Sequence, residues 1–234
     1  MQTAIKIIDR TTDIVLVLFF LLIFLIGGYT MYDTLLIYNA AEGEDLRRYK
    51  PNIVNGEASW DMNELSSDVV AWLTVDGTTI DYPVMQGRDN NEYLNKDPFG
   101  NYSLAGSLFL DSRNTSDFSD EYSLIYGHHM EYGHMFGALD NFVDKNYFDS
   151  HRIGTLTVGN KVYKITFFAC TEADGAEEAI FVPDSAEDAL NYTKENAIIW
   201  YEPIANGGRI LALSTCKFPQ TTERLIVFGV INDA

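Results

Sequence analysis

Three side-chain types in this chain could act together on an acyl group: a thiol, an imidazole and a guanidinium. Cys216 closes the apolar run RILALSTC (209–216), and Arg224 follows eight residues later, after KFPQTTE. If the runs on either side pair as antiparallel strands, their adjoining ends bring sulfur and guanidinium to one rim. A fixed positive charge there favours thiolate over thiol. A guanidinium can equally donate forked hydrogen bonds to a developing oxyanion. A cysteine nucleophile also needs a proton acceptor, normally distant in sequence. The segment SLIYGHHMEYGHMFG (123–137) offers His128, His129 and His134, with Gly127 leaving room for close approach of backbone and substrate.

The same residues admit plainer readings. Cys216 could be a small buried hydrophobe, with Arg224 paired to Glu223. The histidines could be solvated loop residues or zinc ligands, although their spacing lacks a helical i, i+4 pair and a well-placed fourth ligand. The other cysteine, Cys170 in ITFFAC, could be an inert strand residue or the disulfide partner of Cys216. A bridge would need the two Cα atoms within about 7 Å.

The elements that must position these groups are mostly β. VVAWLTV and TIDYPV flank Asp76-Gly77, a hairpin signal. GSLFL (106–110) and EYSLIYG (121–127) read as further strands. IGTLTV and KVYKITFFAC flank a second turn at Gly159-Asn160, and RILALSTC and RLIVFGVI close the chain. Eight short strands with such turns predict a closed or nearly closed β-barrel, which leaves no exposed edge. Peripheral helices interrupt them. Phe136, Leu139 and Phe142 form a helix-like stripe at spacings of three, and DSAEDALNYTKENAIIWY (184–201) reads as a helix capped by Asp184 or Ser185. Both are expected to face the core.

At the N-terminus, Ile14 to Tyr32 run nineteen residues without a charge, enough to cross about 30 Å of hydrocarbon as a helix. The run is longer than a signal-peptide core, and no good cleavage site follows it closely, so a retained anchor is preferred to a cleaved leader. Lys6 and Arg10 precede it, which predicts a cytoplasmic N-terminus and an extracellular body. The expected organisation is a cytoplasmic N-terminus (1–13), a transmembrane anchor (14–32), a helical stalk and lead-in (33–68) and a β domain (69–234). Sixteen basic against thirty-four acidic residues give a net charge of −18. That excludes a nucleic-acid partner, which demands clustered Lys and Arg.

In correct order, WLTVDGTTIDYPVMQGRDNNEYLNKDPFG (72–100), GSLFLDSRN (106–114), IYGHHM and LSTCKF resemble the sortases, and class B members most closely. These are membrane-anchored cysteine transpeptidases of Gram-positive bacteria. The resemblance covers residues 60–234 and implies a sortase-type eight-stranded barrel, with Cys216 as nucleophile, His128 as catalytic histidine and Arg224 as the group that holds substrate and steadies the oxyanion. Ser214 and Thr215 would line the substrate groove. His129 would be a bystander, and Cys170 matches no functional position. No cofactor and no metal are implied. The implied partners are surface proteins bearing a C-terminal sorting signal, cut after Thr, and an amine of peptidoglycan precursor or a pilin lysine. Other functions compatible with the residues are a surface-anchored peptide-binding module without catalysis, and a metal-dependent hydrolase.

Overall fold

The computed structural model describes residues 2–42, 44–61, 63–182, 186–203, 208–216 and 222–233. The chain divides into two units, Met1–Asn39 and Ala40–Ala234.

The first unit is the body of helix α1 (Gln2–Glu42). Its apolar segment Arg10–Tyr38 is long and apolar enough to cross a membrane and extends past the uncharged run at both ends. Its side chains are bare: Leu18, Phe20 and Phe24 are all exposed. The Thr30 hydroxyl donates to the Gly27 carbonyl and that of Thr34 to Thr30, so both are satisfied within the helix, as hydrocarbon surroundings would require.

In the second unit a 3-10 turn (Glu44–Tyr49) leads into a small hairpin, β1 (Asn52–Val54) and β2 (Glu57–Ser59). The lead-in is therefore not helical throughout. Its turn is Asn55-Gly56, both at positive φ, the residue pair that a tight hairpin favours. Eight further strands form the barrel: β3 (Val69–Val75), β4 (Asp81–Met85), β5 (Leu108–Leu110), β6 (Tyr122–Gly127), β7 (Ile153–Val158), β8 (Lys161–Asp174), and then, after one outlying strand, β10 (Arg209–Cys216) and β11 (Glu223–Asp233). The circuit β8-β11-β10-β6-β5-β4-β3-β7 closes by pairing β7 with β8. Within it β4–β5 and β6–β10 run parallel, and the other neighbours run antiparallel. β9 (Ala197–Trp200) pairs with the far half of β8, beyond the point where β7 leaves it.

The interior is filled by Leu73, Leu156, Ile165, Phe167, Leu211, Leu213 and Val227, among others. A second cluster, with Leu124, Ala212, Ile226 and Phe228, lies on the outer face of the same strands, against Ile180 of α3 (Glu178–Phe181) and Ala189 of α4 (Ala186–Asn196). Burial on both faces is why the last two strands read as nearly unbroken apolar runs rather than as alternation.

The stripe Phe136, Leu139 and Phe142 is fully buried on a 3-10 helix, Phe136–Val143, where spacings of three stack residues on one side. A short helix α2 (Lys145–Ser150) follows, capped by Asp144, which accepts from the Tyr147 amide at 2.9 Å. The helix expected over 184–201 ends at Asn196, and its β-branched tail AIIW is β9. The cap expected at Asp184 or Ser185 lies outside the described residues.

Candidate active site

Strand register alone assembles the site. β10 and β11 pair antiparallel so that Cys216 stands directly opposite Arg224. On its other side β10 runs parallel to β6, and the last pair is Thr215 with Gly127. His128 and Cys216 are thus each one residue beyond that pair. Three adjoining strand ends, spaced by about 4.8 Å per strand, carry the imidazole, the thiol and the guanidinium in that order. Ile210 and Ala212 belong to the outer cluster, whereas Leu211 and Leu213 belong to the interior one. By the period of two, Ser214 continues the outer series on β10. Arg224 does so on β11, preceding Ile226 and Phe228.

On that outer face lies a cavity of about 270 Å³, lined by Asn90, Leu94, Phe109, Tyr126, Gly127, His128, Gly175, Phe181, Ser214, Thr215 and Arg224. Four of the five residues singled out from the sequence are in its lining. The fifth, Cys216, is placed by its backbone register beside them. Ser214 and Thr215 are buried, and their hydroxyls have no partner among the described residues. Most of the connection KFPQTTE (217–221) lies outside the described residues, and Glu223 already belongs to β11.

His128 is fixed by the Leu94 carbonyl, 2.6 Å from Nε2. A carbonyl only accepts, so Nε2 carries the proton of that bond and Nδ1 is the nitrogen left to exchange one. A Cβ on Gly106 would stand 2.9 Å from the His128 ring and 2.6 Å from the Leu94 carbonyl, so the bare glycine makes this contact possible. Gly127 lines the cavity and meets a second constraint as well. A Cβ there would meet Leu108 at 2.4 Å and Phe136 at 2.6 Å. A side chain at this position would therefore also disturb the packing of Leu108 and Phe136.

His129 turns elsewhere, its Nε2 2.7 Å from Asp140 Oδ2. Among the described residues no three His, Cys, Asp or Glu side chains gather as a metal-ligand set. The Arg224 side chain passes over Gly175, with Nε 3.5 Å from where a Cβ would be. The Asp174 carboxyl is held below the usual carboxylate range by the Thr222 hydroxyl, the Ala176 amide and, less strongly, the charge of Arg224. Cys170 is a free, buried thiol, which removes the disulfide reading. Burial, aided by the charge of Glu172, pushes it up to about 12.

Sequence reasoning missed the cavity walls. Asn90, Leu94, Phe109, Tyr126 and Phe181 come from separate segments, and Asp111 behind them is a buried carboxylate. The one available signal was the acid itself, directly after the all-apolar strand LFL.

The barrel domain matches known proteins. Residues 73–232 fit the sortase domain family model. A sortase B of Listeria monocytogenes is 34% identical over 75% of this chain and 76% of its own length. A sortase B of Staphylococcus aureus is 30% identical over 73% and 72%. Among solved structures, a Streptococcus pyogenes class B sortase involved in pilus biogenesis is 44% identical, with a TM-score of 0.66 over 72% of this chain and 94% of that one. The S. aureus sortase B–substrate complex superimposes with a TM-score of 0.67 at 27% identity, covering 74% of this chain and 83% of that one. The chain belongs to the sortase family and is of the class B type. Sortases are cysteine transpeptidases that join surface proteins bearing sorting signals to amine nucleophiles, and the N-terminal apolar helix accords with a membrane-anchored enzyme of the cell surface.

Proposed function

We propose that this chain cuts a C-terminal sorting signal after Thr and hands the acyl group to an amine, with Cys216, His128 and Arg224 as its catalytic residues. The observation that carries the reading is the register: Cys216 opposite Arg224, and one step past the Thr215–Gly127 pair that leads to His128. In the first half-reaction the Cys216 thiolate adds to the Thr carbonyl, and Arg224 donates hydrogen bonds to the oxyanion. His128 gives its proton to the departing amine, the C–N bond breaks, and a thioester remains. In the second, an amine attacks the thioester, His128 removes its proton, and the thiolate leaves. Water can replace the amine, which gives slow hydrolysis. Ser214 and Thr215 line the groove that receives the signal. The α1 segment anchors the enzyme (14–32 within the bilayer, 1–13 inside), and the catalytic domain, 69–234, lies outside the membrane.

The acceptor is a peptidoglycan precursor amine or a pilin lysine. The 44% identity with a class B sortase of pilus biogenesis supports the second choice as a specific alternative. Full-length protein in detergent, incubated with quenched peptides carrying a Thr–Gly or Thr–Asn bond, is expected to release the C-terminal fragment and to gain the acyl mass on Cys216. Oligoglycine and a lysine-bearing peptide, supplied in competition, then report which amine is taken. Cleavage without an adduct on Cys216 would reject the covalent route, and no cleavage of any such peptide would reject the reading.

A further inference from the structure

Behind the cavity wall lies a carboxylate that the catalytic steps do not use. Asp111, the residue after β5, has no exposed surface. It accepts a forked pair from Arg113, Nε to Oδ1 at 2.8 Å and Nη2 to Oδ2 at 2.7 Å, and a third bond from the Arg113 amide at 3.0 Å. Its Oδ2 also accepts from Asn90 Nδ2 at 2.9 Å and from the Tyr126 hydroxyl at 3.0 Å. Arg113 Nη2 reaches further, to the Phe181 carbonyl at 2.5 Å. Asn90, Tyr126 and Phe181 all line the cavity, and the Tyr126 and Phe181 rings stack with centroids 6.4 Å apart. Burial by itself would raise the Asp111 carboxyl. The hydrogen bonds from Arg113 and Asn90 outweigh it and hold the group below the usual range, so it stays an anion.

An anion can only accept, and this sets the polarity of the wall. The Tyr126 hydroxyl must spend its proton on Asp111, and its oxygen accepts from Arg113, so the ring is held to the same ion pair. Asn90 accepts the Ser112 amide on Oδ1 at 2.8 Å and gives one N–H to Asp111, which leaves the other N–H as a donor. A donor of fixed sense matches a C=O of an extended peptide.

We propose that Asp111 is a positioning residue for the peptide groove: it fixes the donor sense of Asn90 and the placement of the Tyr126 ring and, through Arg113, the placement of the Phe181 wall. The inference rests on the transpeptidase reading and adds to it the group that orders substrate binding while touching neither substrate nor thiol.

Arg113→Lys keeps a cation beside Asp111 but lacks the planar fork that serves two acceptors at once. Because the Arg113 side chain is 46% exposed, the change leaves the interior intact. Expected in full-length protein is a rise of about tenfold in KM for the quenched peptide, the loss of roughly one charged hydrogen bond, with kcat within about twofold. Alkylation of Cys216 by iodoacetamide should keep its rate, and amide exchange over 178–182 should quicken. Asp111→Asn should give the same split, and where it fails to fold Arg113→Lys carries the test. Unchanged KM with an active wild type would overturn the proposal, and so would unchanged exchange over 178–182. A fall in kcat and alkylation rate together with the rise in KM would also overturn it, by showing general damage. If the wild type cleaves no peptide, the transpeptidase reading fails by itself and the exchange measurement still decides whether Asp111 holds the wall.

Discussion

Cys170 and Cys216 lie on strands that share β11 as a neighbour, yet their surroundings differ at every level. Cys170 is in the middle of β8, between Val227 of β11 and Ile199 of β9. It belongs to the interior cluster with no exposed surface, and its thiol is pushed up to about 12. Cys216 is the last residue of β10, across from Arg224 and next to the strand end that carries His128. The comparison teaches that position along a strand sets what a thiol can do. The middle of a barrel strand surrounds sulfur with hydrocarbon, whereas adjoining strand ends bring residues that carry charge into register beside a cysteine.

The sharpest way to break that contrast is to remove each sulfur in turn. Cys216→Ala is expected to lower kcat/KM by about 10⁴-fold or more and to abolish the acyl adduct. Cys170→Ser should leave kcat/KM of the folded protein nearly intact while costing about 1–3 kcal/mol of stability, because it buries a hydroxyl among apolar groups. Kinetics with thioester trapping, together with urea unfolding, read both. Equal loss of activity in the two variants would erase the distinction.

The two neighbouring histidines give the next test. His128 is on the cavity and held by Leu94, whereas His129 is turned to Asp140. His128→Ala is expected to cost about 10³-fold in kcat, the scale of a lost general acid–base, and His129→Ala to leave kcat within a few-fold. The opposite ranking would move the catalytic role one residue along the chain. Arg224→Lys comes third, with kcat expected to fall by about 100-fold and KM less affected, since an ammonium cannot present two donors in a plane to an oxyanion. Retained kcat would reduce Arg224 to a source of charge.

The barrel was legible because its strands are bounded by Asp76-Gly77 and Gly159-Asn160 and because the outer helices make the last strands apolar on both faces. The β1–β2 hairpin went unread although Asn55-Gly56 is as clear a turn signal, because its strands are three residues long and Ile53 and Val54 face solvent rather than a core. The tail of the α4 region reads as helix in the sequence because Ala197–Trp200 continues an apolar pattern without a breaker. Only its pairing to β8 makes it a strand. Of the site, the thiol and the arginine were readable from one antiparallel hairpin. The histidine depends on the parallel β6–β10 pairing, more than eighty residues apart in sequence, which no local spacing encodes. The wall built on Asp111 was invisible for the same reason, since Asn90, Arg113, Tyr126 and Phe181 meet only in the folded chain.

The smallest expected effect concerns stability alone and bears on the Cys170 half of the comparison. Folding raises that thiol from 9.0 to about 12. Below pH 9 both folded and unfolded chains hold the proton, and the group adds no pH dependence. Above it the unfolded chain releases the proton while the folded chain keeps it, so the unfolded state binds fewer protons and stability must fall as pH rises. The slope approaches about 1.4 kcal/mol per pH unit until the folded thiol itself ionises. Replacing the residue by Ala removes this contribution and leaves the tyrosines and lysines in place. The stability difference between wild type and Cys170→Ala, measured by urea unfolding with reductant at pH 7, 9 and 10, is therefore expected to be constant from pH 7 to 8.5 and to shrink by about 1 kcal/mol by pH 10. A difference that stays level through pH 10 would mean that Cys170 ionises as readily inside β8 as in water, and the interior of the barrel would then not be the dry environment that separates the two thiols.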